Sequence, residues 1–267
     1  MFSLNFRNEI YKTLAFSYRN LLITRRNFFT IFETLFWPLI GLLSVGLMGA
    51  YLELSRNLLA FIMIGAVALS IMQLAQLDVT YVLLFDIWSK SIKYTLVAPV
   101  SFFNMVAGSW LVGVIRGFIA FLILSFSGEL LFGLNLVQMT VTSLLLFLFG
   151  LFINAMLIGM STCILLLIFG YRAEVAAWTL TAIIMLVCGI YYPVTVLPAE
   201  IRCISYAIPA THFLEYYRSF YGFSPSFSNS LLTGYGLNGL YIIIGAFAYV
   251  LALKRARKTG TILQFSE

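Results

Sequence analysis

Residues 136–169 run for 34 positions without a charged side chain or a proline. A helix of that length is about 51 Å long at 1.5 Å per residue. About 20 apolar residues already cross a hydrocarbon core of roughly 30 Å. Five further apolar stretches accompany it, at 30–50, 58–77, 102–126, 175–192 and 235–253. Each is rich in Leu, Ile, Phe and Val without alternating polarity, which favours helices over an outer-membrane barrel. The pattern predicts an all-α integral membrane protein with six transmembrane helices. Its fourth span is expected to tilt or to project from the bilayer as one helix, since nothing in the run marks a turn.

Composition agrees. Of 267 residues, 62% are hydrophobic and 10% charged, against roughly 45–50% and about 25% in soluble domains. A chain this apolar lacks the polar surface to cover a compact soluble body. That argues against a soluble enzyme, a disordered tail or a nucleic-acid-binding module, so no nucleic-acid partner is expected. Cys163, Cys188 and Cys203 lie far apart without CxxC spacing, which suggests neither a metal site nor a disulfide framework.

The excess of 16 Lys+Arg over 10 Asp+Glu is read for topology, because cytoplasmic loops collect basic residues. With the N-terminus inside, one face gathers Arg7, Lys12, Arg19, Arg25, Arg26, Lys90, Lys93, Arg172, Lys254, Arg255, Arg257 and Lys258. The other holds Arg56, Arg202 and Arg218, and Arg116 falls within a span. Both termini, including the tail 254–267, are expected in the cytoplasm of a multi-pass protein of the bacterial or archaeal cell membrane.

Residues 1–29 are too interrupted by charge to form a leader's apolar core, so no cleavable signal peptide is expected. They read as an interfacial helix. Tyr11, Leu14, Tyr18, Leu21 and Leu22 share one face, while Lys12, Arg19 and Arg26 recur every seven residues on another. Such a helix lies along lipid headgroups with its cations toward anionic lipid. The plainer reading is a basic flank that sets topology.

Two loops carry pattern. The first, cytoplasmic 78–101, centres on Asp86-Ile87-Trp88-Ser89-Lys90-Ser91-Ile92-Lys93. Trp88, Ile92, Thr95 and Leu96 fall on one helical face, and Pro99 ends the helix. It presents a knob to the cytosol or else lies on the headgroups. The second, external 193–234, has 42 residues and four prolines, Pro193, Pro198, Pro209 and Pro225. Helical pieces at 199–207 and 211–221 are too short to span. Their aromatics, Tyr206, Phe213, Tyr216, Tyr217, Phe220 and Tyr221, suit the membrane interface and suggest re-entrant helices capping the spans, a form tolerated only where protein or water satisfies the backbone.

Some polar residues fall at depth. Arg116 lies midway along the third span within Gly113-Val114-Ile115-Arg116-Gly117. It is expected to face protein or water, along a transport path, at a subunit seam or in a structural pairing, with the glycines admitting a neighbouring helix. Glu33 is placed to pair with Arg25 or Arg26, and Gln73, Gln76 and Asn154 line a cavity or bond neighbouring helices. His212 has no nucleophile at fixed spacing, and Glu215 and Arg218, three apart, suggest an ion pair. No GxxxxGK[ST] phosphate loop is present.

The stretch Gly189-Ile190-Tyr191-Tyr192-Pro193-Val194-Thr195-Val196-Leu197-Pro198 resembles the fifth-span exit of the ATP-binding-cassette permeases of the type-2 exporter family. Pro209-Ala210-Thr211-His212-Phe213-Leu214-Glu215-Tyr216-Tyr217-Arg218 is similar to that family's Pro…Phe-Glu…Arg segment. Asp86-Ile87-Trp88-Ser89-Lys90 with Pro99-Val100-Ser101 looks like its first coupling-helix region, and Ala173-Glu174 before Trp178 like the loop preceding its fifth span. The likeness covers the order and number of spans. Phe85, where relatives often carry a second acid, and Tyr216-Tyr217 before the arginine depart from the pattern.

The resemblance implies a permease subunit with no catalytic residue and no metal or cofactor of its own, ATP and Mg being bound by a separate cytoplasmic ATPase. It implies pairing with a second permease subunit, and contact with the ATPase through the N-terminal helix and a helix over 86–98, with Asp86, Ile87, Trp88, Lys90, Ile92 and Pro99 in the coupling contact. It places Tyr191, Tyr192, Pro193, Pro209, Phe213, Glu215 and Arg218 at an external gate. Relatives' substrates range from hydrophobic drugs to lipids and lipid-linked glycans. Two rival readings stay open: a non-transporting membrane scaffold, and an intramembrane enzyme using His212 and Glu215.

Overall fold

The computed structural model describes residues 6–26 and 28–259, and every regular element among them is helical. The α-helices are α1 Phe6–Arg26, α2 Phe28–Tyr51, α3 Arg56–Trp88, α4 Ile92–Val97, α5 Phe102–Phe132, α6 Val141–Phe169, α7 Ala176–Val187, α8 Ala199–Ala207, α9 Pro209–Ser219 and α10 Ser230–Thr259. Short 3-10 turns lie at Gly170–Val175 and Val194–Val196.

Apolar runs contain few stop signals, so the boundaries are set by isolated polar residues and glycines. Ser55, Ser101 and Thr140 cap α3, α5 and α6, each hydroxyl accepting a first-turn backbone N–H, which satisfies a donor the helix leaves orphaned. Gly133 ends α5 in the left-handed region at φ 64°, where a side chain is disfavoured. Pro209 opens α9 at its first turn, where a missing N–H costs nothing.

Five stretches are long and apolar enough to cross a bilayer: Thr34–Tyr51, Arg56–Trp88, Phe102–Phe132, Val141–Val187 and Ser230–Ala256. The fourth joins α6, the 3-10 turn and α7. With 12 residues, α7 is about 18 Å long, too short to cross alone.

The helix α3 is the centre of the bundle, packed by α2, α5 and α6, while α10 closes on α6 and α9. Its first half shares a core with α5, α6 and α9, including Met63, Ile71, Phe121, Phe147 and Phe213. Its second half shares another with α5, α6 and α10, where Phe102 stacks on Tyr249.

Several boundaries differ from those the sequence suggests. The expected loop from Asp78 is helix as far as Trp88, because the apolar run resumes after Asp78 and that carboxylate is paired. The expected single helix from Asp86 to Ala98 is broken at Ser89–Lys90–Ser91. Ser89 Oγ donates to Phe85 O at 2.6 Å and Ser91 N to Asp86 O at 2.8 Å, so these serines compete with helix continuation, and Lys90 turns at φ 56°. Trp88 and Ile92 therefore do not share a face: Trp88 is 48% exposed and Ile92 is fully buried. The 34-residue run yields one helix that starts at Val141, with Leu134, Leu136 and Met139 of the preceding segment folded into buried positions. The third and last apolar helices extend past the expected ends, to Phe132 and Thr259.

The helix α1 lies along α5. Ser17 Oγ donates to Gly108 O at 2.8 Å, and Asn20 Nδ2 donates to Ser109 Oγ at 2.5 Å. Side chains at Gly108 would run into Thr13 O, so the bare backbone sets this approach. The apolar face, Ile10, Tyr11, Leu14, Tyr18 and Leu21, points away and is exposed.

Candidate functional site

A cleft of about 510 Å³ opens between α2, α3, α5 and α7. Helical spacing builds its walls. Thr34, Trp37, Pro38 and Gly41 lie at i, i+3, i+4 and i+7 of α2, and Ser70, Gln73, Leu74, Leu77 and Tyr81 share one face of α3. Trp178 of α7 and Tyr191 complete an aromatic rim, and Arg116 of α5 lines one side. Large rings with a few polar groups are the usual make-up of a small-molecule cleft.

Arg116 is held firmly. Its Nη1 forms an ion pair with Asp78 Oδ1 of α3, and its Nη2 donates to Thr34 Oγ1 of α2. Both side chains of the pair are largely buried, 14% and 6% exposed, and Asp78 Oδ2 has no hydrogen-bond partner among the described residues. One guanidinium thus ties three helices at the edge of the cleft. The backbones come close enough for this because Gly113 faces Ala75 of α3, where a Cβ would lie 2.9 Å from Ala75 Cα. Gly117 likewise faces Phe152 of α6. Of the readings the sequence offers for Arg116, the structural pairing is the one seen, and the same side chain also lines the cleft.

The other polar residues separate. Gln73 lines the cleft. Gln76, one turn away, is buried and ties α3 to α7, its Nε2 donating to Ala177 O at 3.2 Å and its Oε1 accepting from Thr181 at 3.1 Å. Asn154 is elsewhere, on a second cleft of α6 and α10. The side chain of Glu33 lies outside the described residues, and Arg25 and Arg26 are exposed.

At the end of the bundle carrying α8 and α9, the residues expected at a gate are brought together unevenly. Tyr191 faces the cleft, whereas Tyr192 turns back to donate to Leu186 O. Pro193 precedes the 3-10 turn. Phe213 is fully buried and packs against the bare faces of Gly150 and Gly234. The expected Glu215–Arg218 ion pair does not form. Glu215 accepts from the backbone N–H and hydroxyl of Ser226. Arg218, 4% exposed, donates to three carbonyls instead: Gly189 O at 2.7 Å, Ile190 O at 2.6 Å and Phe61 O at 3.1 Å. Its guanidinium also stacks 3.5 Å from the Phe61 ring centroid. Two of these carbonyls, Gly189 O and Ile190 O, lie just past the C-terminus of α7, where a cation is favoured, and the third belongs to α3. His212 is buried, with Nε2 on Tyr206 O at 2.9 Å and its ring against Phe227; its Nδ1 has no hydrogen-bond partner among the described residues.

At the opposite end, α1, α3 and α4 meet. Arg19 pairs with Asp86, which also accepts from Ser91 Oγ at 3.0 Å. Asp86, Ile87 and Ile92 are buried, while Trp88, Lys90 and Pro99 are exposed. Trp88 closes an aromatic row with Tyr81 and Phe85 and donates to Glu174 Oε2 at 3.3 Å. Lys12 pairs with Glu9 at 2.6 Å, and Asn104 Nδ2 donates to Glu9 Oε2 at 2.7 Å. The Lys12 and Asn104 hydrogen bonds hold the Glu9 carboxyl below the usual range.

A family model described as ABC-2 type transporter matches residues 11–221, a stretch running from the first turns of α1 through α9. The chain belongs to the ABC-2 type transporter family. A 46-residue stretch is also 54% identical to an uncharacterised protein of Archaeoglobus fulgidus, over 17% of this chain and 72% of that one. This ABC-2 permease is therefore a multi-pass membrane subunit of an ABC transporter, distinct from the ATPase subunit, and its family works with a cytoplasmic ABC ATPase. The cleft, the Arg116–Asp78 pair and the Arg218 cluster all lie within the matched segment.

Reading the permease by sequence alone misses Asp78, assigned to a loop, and the cleft residues Thr34, Trp37 and Trp178. A signal for Asp78 exists: the apolar residues Val79, Val82, Leu83 and Leu84 follow it directly, which places an acid inside a helix rather than at its end.

Proposed function

We propose that this permease is the membrane subunit of an ATP-driven exporter that moves an amphipathic or hydrophobic substrate out of the cytoplasm or inner leaflet. Two copies pair, six spans cross each half with α7 and the residues after it forming the fifth, and both termini lie in the cytoplasm. The ATPase sits against α1 and the α3–α4 turn, with exposed Trp88 and Lys90 touching it. Asp86, Ile87 and Ile92 act from beneath as supports. The helices α8 and α9 form a re-entrant outer gate.

The cleft walled by Trp37, Tyr81, Trp178 and Tyr191, with Gln73 and Arg116 as its polar groups, carries this reading. An aromatic wall accepts an apolar body or a sugar face, and few polar groups suffice to orient it. Nucleotide-driven closure of the ATPase pair shifts the permease between states only by its differential affinity for them. The intramembrane-enzyme reading loses support because His212 and Glu215 bond to different partners, Tyr206 and Ser226.

The test is transport in proteoliposomes containing the permease and its ATPase, run against a panel of lipids, lipid-linked glycans and drugs. Gln73→Leu is expected to lower transport of the accepted substrate while leaving assembly with the ATPase intact. Failure of every substrate class, with a stable ATPase complex, would favour the scaffold.

A further inference from the structure

At the end nearest the α3–α4 turn, the cleft of Gln73 and Arg116 is walled by Tyr81 of α3 and Trp178 of α7. Two connections run from these rings to one side chain, Trp88. Along α3, Tyr81, Phe85 and Trp88 lie at i, i+4 and i+7 of one face. Their ring centroids are 4.8 Å apart for Tyr81–Phe85, 5.7 Å for Phe85–Trp88 and 5.9 Å for Tyr81–Trp88. Toward α7, Trp88 Nε1 donates to Glu174 Oε2 at 3.3 Å. Glu174 stands in the 3-10 turn Gly170–Val175, four residues before Trp178. The bond is exposed, so water competes for both partners and it adds little to stability. Gln76, which is buried, already fastens α3 to α7 through Ala177 O and Thr181. What distinguishes the Trp88–Glu174 bond is its place: it ends on an indole that stays 48% exposed where α3 stops.

We propose that Glu174 is a positioning residue for coupling, holding the ATPase-facing indole of Trp88 to the turn that leads into α7. A displacement of Trp88 then reaches the cleft through two walls: Tyr81 of α3 by ring contact, and Trp178 of α7 by way of Glu174. The proposal rests on the reading that the ATPase touches Trp88 and that this cleft holds the substrate. The chemistry asks only for an acceptor within reach of the indole N–H. A carboxamide oxygen supplies one and a leucine does not, while a phenyl ring in place of the indole keeps the ring contact and lacks the donor. With the bond gone, the route along α3 remains and the route through α7 is lost. The response of the cleft is then diminished, not abolished.

The test reads the cleft itself, in the full permease–ATPase complex in liposomes. Cys203→Ser removes the exposed native thiol, Cys163 and Cys188 being buried, and Ser70→Cys places a reporter on the cleft wall. Its labelling rate with methyl methanethiosulfonate is measured with and without a hydrolysis-resistant ATP analogue. Glu174→Leu is expected to shrink the nucleotide-driven change in rate roughly two- to tenfold, the worth of one hydrogen bond, with the unfolding midpoint unmoved. Glu174→Gln should keep the change, and Trp88→Phe should lose as much as Glu174→Leu. The two losses should not add, since both remove one shared contact. A full response in Glu174→Leu, a Glu174→Gln protein as impaired as Glu174→Leu, or additive losses would overturn the proposal and leave the export reading standing. If the analogue leaves the Ser70→Cys rate unchanged with Trp88 and Glu174 intact, the export reading fails and the proposal with it.

Discussion

Arg19 of α1 and Asp86 of α3 form an ion pair across 67 residues of chain. The carboxylate is almost fully buried and the guanidinium about one-third exposed. Asp86 also receives the Ser91 hydroxyl, so one carboxylate fixes α1, the end of α3 and the turn into α4.

Removing Arg19 leaves Asp86 buried with Ser91 as its side-chain partner among the described residues. Arg19→Ala is expected to destabilise the permease by about 1–3 kcal/mol, less than a fully buried pair because Arg19 is partly solvated. The check is a thermal unfolding midpoint in detergent, paired with the ratio of transport to ATP hydrolysis. A fall in that ratio larger than the stability loss explains would identify the pair as a strut between α1 and α4; an unchanged ratio would make it a simple anchor.

The Arg116–Asp78 pair is more deeply buried. Arg116→Met strands a carboxylate and is expected to cost about 3–5 kcal/mol. Adding Asp78→Leu should return most of that stability, because two apolar groups of similar size replace the pair without desolvation. Unfolding measurements on the two single variants and the double variant test this. If the double variant is no more stable than Arg116→Met, the cost lies in lost packing or in the Thr34 bond.

Glu9 joins α1 to α5 through Asn104, and its carboxyl is held below its ordinary range. The sign follows directly: a depressed folded pKa stabilises the docked form above the unfolded value and loses that contribution as pH falls through the folded value. A spin label at Tyr11, on the exposed face, should therefore gain mobility as the medium is acidified below the usual glutamate range. Glu9→Gln should remove that pH dependence.

What the sequence makes legible here follows from what sets each feature. Apolar runs declare the long helices, and α8 falls at the expected 199–207. The helix α9 begins at Pro209 rather than at 211, since proline fits the first turn. The ends of α3 and α5 are harder to read, because the apolar run resumes after polar residues: Asp78 in α3, paired with Arg116, and Ser127 and the exposed Glu129 in α5. Asp78 is the clearest instance: taken alone it reads as a helix end, although apolar residues resume directly after it, and its partner Arg116 comes 38 residues later. Arg218 is hard to read for a related reason. Spacing offers it Glu215, but the fold gives it the carbonyls of Gly189, Ile190 and Phe61, which no local pattern announces.

Those three carbonyls lead to the last prediction. The fork of an arginine reaches several acceptors at fixed angles, whereas a lysine brings one flexible ammonium. Arg218→Lys keeps the charge but cannot hold Gly189 O, Ile190 O and Phe61 O together, and it loses the stacked contact with the Phe61 ring. We expect a loss of about 2–3 kcal/mol, the worth of one or two charge-assisted hydrogen bonds, and a further loss for Arg218→Ala, which leaves buried carbonyls unbonded. Unfolding midpoints of the two variants are the measurement. Hydrogen exchange should show the loss first at residues 188–197, since Arg218 is what fastens that segment to α3. If both variants unfold like the wild type, the segment is held by its own backbone turns and the cation is incidental.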